Sequence, residues 1–287
     1  MKKYIEVLLD SCIEKIKKAE AILVGVGAGL STASWLSYSG ERFERYFSDF
    51  RLNYGITNMY EGGFYPFNTK EEYWAWWSRH VLYNRYEVSV GTPYTNLLEI
   101  LKDKNYFILS TNVDHQLQKA GFSKDRMFSV QGDFGLWQCS VPCHNKTYNN
   151  EESIRKMVAC QKNCKIPSSL IPYCPICMAP LTMNLRIDDK FVEDESWHKE
   201  QKQYQEFLER YQDTSLVCVE LGVGLNTPGI IKYPFMQMTL KNEIATYINI
   251  NIEEFFVPKT LVKRSINIIG DIKECLTYIK DTLNKQN

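Results

Sequence analysis

Residues 21–31 read AILVGVGAGLS, an apolar run that breaks into a glycine turn and then a small-residue helix start. A strand with no polar side is buried on both faces, as in parallel sheets sandwiched between helices. The same form returns as YFILSTNVD (106–114), MFSVQGD (127–133) and LVCVELGVG (216–224), with ATYININ (245–251) and SINIIGD (265–271) as further strands. Helical patterns surround them: NLLEILKD at 96–103, EQKQYQEFLERYQD at 200–213 and IKECLTYIKDTL at 272–283. Apolar strands alternating with helices predict an α/β fold with a doubly wound parallel sheet. Ligands of such sheets bind at the carboxyl ends of the strands. Four polar or glycine-rich stretches fall there: GAGLS, STNVD, VQGD and LGVGLN.

Two segments interrupt this alternation. Residues 38–95 carry half of the Tyr and half of the Trp, with helical spacing at 71–87, and predict a helical insertion packed over the sheet. From 139 to about 185 periodicity is lost, and Cys139, Cys143, Cys160, Cys164, Cys174 and Cys177 crowd together. The remaining cysteines, Cys12, Cys218 and Cys275, sit in apolar patterns as small core residues. The N-terminus reads as an amphipathic helix rather than a signal peptide, so a metal site is the better expectation than disulfides. Cys174-Pro-Ile-Cys177 has zinc-knuckle spacing, and Cys139-Ser-Val-Pro-Cys143 is one residue wider. Cys160-x₃-Cys164 is the rival first pair, and a chain without metal is the alternative to both. Four thiolates would close the coordination shell, so the zinc would be structural.

Lys plus Arg equals Asp plus Glu at 34 each. No global field draws the chain to nucleic acid or membrane. No apolar run approaches the roughly 20 residues that span a bilayer, and a cytoplasmic location is expected.

The strand ends carry the candidate chemistry. Glycines in GVGAGLS let the backbone approach a pyrophosphate at a helix N-terminus; a tight strand–helix turn without ligand is the plainer reading. Asn112 can hold ribose hydroxyls and Asp114 can accept from a carboxamide, although Asp114 also fits the cap of a helix over HQLQKAG. Gln131, at the end of FSVQ, can donate and accept hydrogen bonds but cannot take up a proton.

Taken together, these motifs resemble the sirtuins over about residues 20–280. The likeness rests on GAGLS at 27–31, STNVD with AG at 120–121, and VQGD where that family has a strand ending in His-Gly. It continues with CPICMAPLTMN at 174–184, LGVGLN at 221–226, YININ at 247–251 and GDIKECL at 270–276. The resemblance implies a Rossmann-like NAD-binding domain of residues 1–37, 96–138 and 201–287. It also implies a cofactor-loop insertion at 38–95, and a zinc-binding small domain with an acidic connection at 139–200. NAD and acceptor would meet in the cleft, where the nicotinamide–ribose bond is cleaved.

By the same resemblance Ala28, Gly29 and Ser31 hold the phosphates, and Gly222, Val223, Gly224, Asn249, Asp271 and Ile272 line the adenosine side. Asp114 anchors the carboxamide, Asn112 and Gln131 hold the nicotinamide ribose, and Ser110 supports them. Tyr38 and Arg42 occupy the cofactor loop, Arg42 toward a phosphate or the acceptor carboxylate. Asn112, Gln131, Asp114 and Arg42 form the expected catalytic set.

The departures from the family pattern are informative. Deacylating sirtuins have His, a general base, at the position of Gln131; His115 is the one nearby substitute. The stretch ending in Asp-Phe-Arg is absent at its usual distance after GAGLS, and WLSYSGERF stands there. Where deacylases hold the acyl chain this sequence reads NLRIDDKFVEDE, and Arg186 with five acidic residues suits a polar acceptor better. With GERF and MYEGGFYPF, these features resemble the microbial macrodomain-linked (class M) sirtuins. That likeness implies protein ADP-ribosyl transfer in a redox-linked setting, possible on a lipoylated glycine-cleavage-H-like carrier, with a macrodomain hydrolase as counterpart. A lysine deacylase and a non-catalytic NAD sensor are the competing expectations.

Overall fold

The structure, a computed structural model, describes residues 3–225, 228–254 and 256–286; Asn226, the last residue of LGVGLN, lies outside them. Six strands form one parallel sheet: β1 (Ala21–Val26), β2 (Tyr106–Ser110), β3 (Met127–Ser129), β7 (Leu216–Leu221), β8 (Thr246–Asn251) and β9 (Ser265–Ile269). Their order is β3-β2-β1-β7-β8-β9. β1 is buried at every position because its side chains alternate between two cores. Ile22, Val24 and Val26 enter one with α1 (Lys3–Lys18), α6 (Thr92–Leu101) and α11 (Ile272–Gln286). Ala21 and Leu23 enter the other with α9 (Glu195–Tyr211) and α10 (Lys232–Lys241). Each fully buried aliphatic side chain contributes about 1.5–3 kcal/mol.

Register then places the loops. Val26 pairs with Ser110 and with Leu221, and Ser110 pairs with Ser129. The ends of β3, β2, β1 and β7 are therefore level, and the four polar stretches that follow them emerge side by side.

A second, antiparallel sheet has the order β5-β4-β6, from β4 (Gly132–Cys139), β5 (Tyr148–Asn149) and β6 (Leu181–Leu185). It begins at Gly132, so the boundary drawn at 139 falls at the end of a strand. The insertion contributes α3 (Glu41–Tyr54), α4 (Met59–Gly63) and α5 (Lys70–Val81). α5 starts on a capping box, Thr69 accepting from the Glu72 N–H and the Glu72 carboxylate from the Thr69 N–H. It runs into a π-helical turn over Leu82–Tyr86.

Apart from Val90 and Tyr94 at its end, the insertion does not pack over the parallel sheet, as its aromatic spacing suggested. Phe43, Phe47, Phe50, Trp74 and Trp76 share a core with Trp137, Cys139 and Met183 of the small sheet. Trp74 and Trp137 meet with ring centroids 5.1 Å apart. A 3.6-residue period tells that a helix has a buried face, not which element covers it. The window without periodicity hides a helix, α8 (Glu151–Cys160), whose buried face is only Ile154 and Met157. α7 (Gln116–Ala120) follows β2. Among the described residues no helix is long and apolar enough to cross a membrane.

Candidate active site

The glycine turns after β1 and β7 touch backbone to backbone. Gly27 N–H donates to Leu221 O at 3.0 Å and Gly29 N–H to Gly222 O at 2.9 Å. Gly222 has φ +62°, and a Cβ on it would lie 2.5 Å from Gly29 Cα; a Cβ on Gly29 would lie 2.6 Å from Gly222 Cα. These glycines are required by the close approach itself. Gly224 differs, since a Cβ there would meet nothing within 4 Å. With Gly27, Ala28, Val223, Asn112 and Gln131 it lines a cleft of about 360 Å³, and that open space fits a ligand's close approach.

Asn112 stands at the middle of this wall. Its Nδ2 lies 3.0 Å from Gly27 O, 3.0 Å from Ser31 Oγ and 3.2 Å from Tyr94 OH. A backbone carbonyl can only accept, so the NH₂ faces the protein and Oδ1 is left for the cleft. No described group donates to that oxygen. Behind it, Ser31 Oγ donates to Asp114 Oδ2 at 2.5 Å and meets Tyr94 OH at 2.9 Å. Ser110 Oγ accepts from the Asn112 N–H at 3.1 Å. Ser31, Tyr94, Ser110 and Asp114 are buried, a polar layer behind the cleft wall. Asp114 Oδ1 also accepts from the Gln116 N–H at 3.1 Å, at the entry to α7. Burial raises its carboxyl pKa, and the Ser31 hydrogen bond works against that rise.

Gln131 lies in the turn between β3 and β4. Its side chain has no hydrogen-bond partner among the described residues. It lines the cleft and also a second chamber of about 200 Å³ walled by Tyr38, Trp77, His80, Phe134, Leu185 and Ile187. Burial, with Arg42 nearby, lowers the His80 pKa to about 3, so this imidazole is neutral; its Nδ1 has no partner. Arg186 lines both spaces, bonded to Glu193 at 2.5 Å and lying over the rings of Phe191 and Trp197.

The polar acceptor pocket expected from NLRIDDKFVEDE is only partly present. Asp188 and Asp189 are exposed, Glu193 pairs with Arg186, and Asp194 caps α9. None of them lines the chamber, whose walls are mainly aromatic and aliphatic. Leu185, Arg186 and Ile187 all line the chamber, and the carboxylates that follow them lie outside it.

Other expected residues fall elsewhere. Arg42 lines neither space; it donates to Ser37 O at 3.2 Å, Tyr83 O at 2.6 Å and Asn84 Oδ1 at 2.7 Å. The π-helical turn supplies the last two partners. Asn249 lies within β8, 2% exposed, with its Oδ1 unpartnered. Asn251, at the strand's end, donates to Val223 O at 3.2 Å. Asp271 accepts from the Glu274 N–H at 2.9 Å and so caps α11, while Ile272 is core. His115 Nδ1 sits 2.6 Å from Asp133 Oδ2, and His115 lines neither space. Tyr94, Asn251 and Trp197 were missed; Asn251 alone carried a signal, as the last residue of YININ.

Cys139, Cys143, Cys174 and Cys177 bring their sulfurs within 4.8 Å of one another. Cys139–Cys177 and Cys143–Cys174 are 3.5 and 3.7 Å apart. Tetrahedral zinc with Zn–S of about 2.3 Å needs sulfurs about 3.8 Å apart, so the set fits. Cys164 instead packs on Asp49 and Asn53, and Cys160 is exposed. Elemental analysis of fresh protein is expected to find about one zinc per chain; less than about half an equivalent would remove the metal.

A parallel sheet with glycine turns at level strand ends, beside a four-thiolate module, is a sirtuin-type fold. Solved structures agree. A structure of a Sir2 homolog in complex with NAD matches with TM-score 0.61 at 16% identity, covering 96% of this chain and 94% of that one. A Sir2-type structure bound to a propionylated peptide gives 0.63 at 15% identity, with 99% of each chain covered. No protein-family model matches. A protein ADP-ribosyltransferase of Staphylococcus aureus is 38% identical over 263 residues, 91% of this chain and 84% of that protein. A Fusarium oxysporum f. sp. cubense protein, named "Probable bifunctional ADP-ribose hydrolase/ADP-ribosyltransferase", is 29% identical over 245 residues, 80% of this chain but 40% of its own length. The chain belongs to the sirtuin-type protein ADP-ribosyltransferases.

Proposed function

We propose that the protein cleaves the nicotinamide–ribose bond of NAD and passes ADP-ribose to an ionised side chain of a protein acceptor. The reading is carried by the side chain at the junction of cleft and chamber, the amide of Gln131, which has no partner and no base beside it. Cleavage develops positive charge on the ribose, and a neutral amide oxygen steadies that charge without accepting a proton. Asn112 Oδ1 supplies a second such oxygen. A deacylase needs a base to activate a ribose hydroxyl, and bases work best with a pKa near the working pH. His80, with a pKa near 3, is too weak, and His115 is engaged by Asp133 outside both spaces.

In this reading Gly27, Ala28, Gly29, Val223 and Gly224 receive the phosphates. Asn112 and Gln131 hold the nicotinamide ribose, and Ser31 with Asp114 fixes Asn112 from behind. Arg186 takes over the acceptor-facing role expected of Arg42. A lipoylated glycine-cleavage-H-like carrier is the acceptor we favour, its apolar arm suited to the chamber beyond Gln131. The Fusarium relative, whose name joins a hydrolase to a transferase, supports a macrodomain hydrolase as counterpart. A cytoplasmic site of action accords with both.

Incubation with labelled NAD tests the reading. Label is expected on the lipoylated carrier and not on its unlipoylated form, and acyl-lysine peptides are expected to stay acylated. NAD-dependent deacylation of those peptides would favour the deacylase, and NAD binding without nicotinamide release from any acceptor would favour a sensor.

A further inference from the structure

We infer that α9 sets the position of Gln131, through Trp197 and Glu200. This rests on the placement of Gln131 in the site proposed above. The turn that carries Gln131 is held at successive backbone groups by two side chains of α9 and one main-chain N–H. Ser129 N–H donates to Glu200 Oε2 at 2.9 Å, and Val130 O accepts from Trp197 Nε1 at 3.1 Å. Gln131 O accepts from the Arg186 N–H at 3.1 Å. Trp197 is itself fixed by the Asp194 cap at 2.9 Å and by an edge-on contact with Phe128, ring centroids 5.0 Å apart. The Arg186 guanidinium lies 5.2 Å from the Trp197 ring centre, so one indole steadies both polar side chains at the junction.

Glu200 has no comparable task in the core. Burial pushes its carboxyl up to about 7, against the Ser129 N–H and Lys124, while Asp194 and Asp133 add to the rise. With the folded pKa raised, the native state holds the proton longer, and this group weakens the fold as pH climbs from 4.5 to about 7. Its hydrogen bond goes to the turn. A displacement of about 1 Å at a reacting centre can lower a rate by about 10²-fold, so anchors of this kind act on turnover.

The test is a double-mutant cycle read by nicotinamide release. Trp197→Phe keeps an aromatic ring and removes the Val130 bond; it is expected to lower kcat about 10-fold with the KM for NAD within about two-fold. Glu200→Ala, measured at pH 8, above the raised carboxyl's pKa of about 7, removes the acceptor of the Ser129 N–H and is expected to act in the same direction. In a Gln131→Ala background both losses are expected to vanish, because the anchors act through that side chain. Losses of equal size in both backgrounds, or parent-like kcat in both single variants, would overturn the inference. Gln131→Ala turning over like the parent would instead remove Gln131 from the site, and this inference with it.

Discussion

Nicotinamide release is expected to fall by about 10²–10³-fold when Gln131 or Asn112 is replaced by alanine, the usual loss when one preorganised polar group is removed from a developing charge. The two variants remove different kinds of support. Gln131 has no side-chain partner among the described residues, so its loss leaves nothing buried and unpaired there, and melting temperature is expected to stay within about 2 °C, as for other substitutions outside a packed network. Asn112→Ala also takes a donor from Gly27 O and Ser31 Oγ, which adds about 1 kcal/mol of destabilisation. Asn112→Asp separates charge from orientation. A carboxylate cannot donate to the Gly27 carbonyl, and it would face Ser31 beside Asp114. It is expected to fold less stably than the alanine variant and to remain inactive. Equal transfer by parent and Gln131→Ala would end the proposed mechanism.

The second large effect is on the fold. Gly222→Ala would put a methyl group 2.5 Å from Gly29 Cα and 2.6 Å from Leu30 N, at φ +62°. These are backbone atoms and cannot rotate aside. The left-handed conformation costs about 1–2 kcal/mol and overpacking about 1–3 kcal/mol more. At about 2–4 °C per kcal/mol for a chain of this size class, the melting temperature is expected to drop by about 10 °C. Gly224→Ala is the contrast: its methyl meets no protein atom, so melting is expected to be unchanged while affinity for NAD falls. Calorimetry and NAD titration of the pair separate a glycine needed by its neighbours from one that leaves room for a ligand. A Gly222→Ala protein melting like the parent would refute the close contact.

The parallel sheet was legible because its strands are mostly apolar and the central ones run into glycine-rich or polar turns. Gln131 was legible for the same reason, as a polar residue at a strand end. The cysteine pairs were legible from spacing, but only the gathered sulfurs decide against Cys160 and Cys164. What stayed hidden depends on which surfaces meet. The aromatic insertion announces buried faces without naming the small sheet as their cover. Arg42 was plausible until the π-helical turn brought Tyr83 O and Asn84 within its reach. Asn249 and Asn251 share a face of β8 by period 2, and only the end of the strand distinguishes the one beside Val223. Tyr94 reaches Asn112 from a helix that no spacing rule connects with STNVD.

Because Gly29 and Gly222 meet main chain to main chain, neither of the two glycine turns can swing away without dragging the other. On the opposite bank of the cleft stand Tyr60 and Phe64, both more than half exposed, one on a helix of five residues and the other just past its end. One wall of the cleft is thus tied by main chain to main chain, while the wall facing it is built from exposed rings on a short helix and its end.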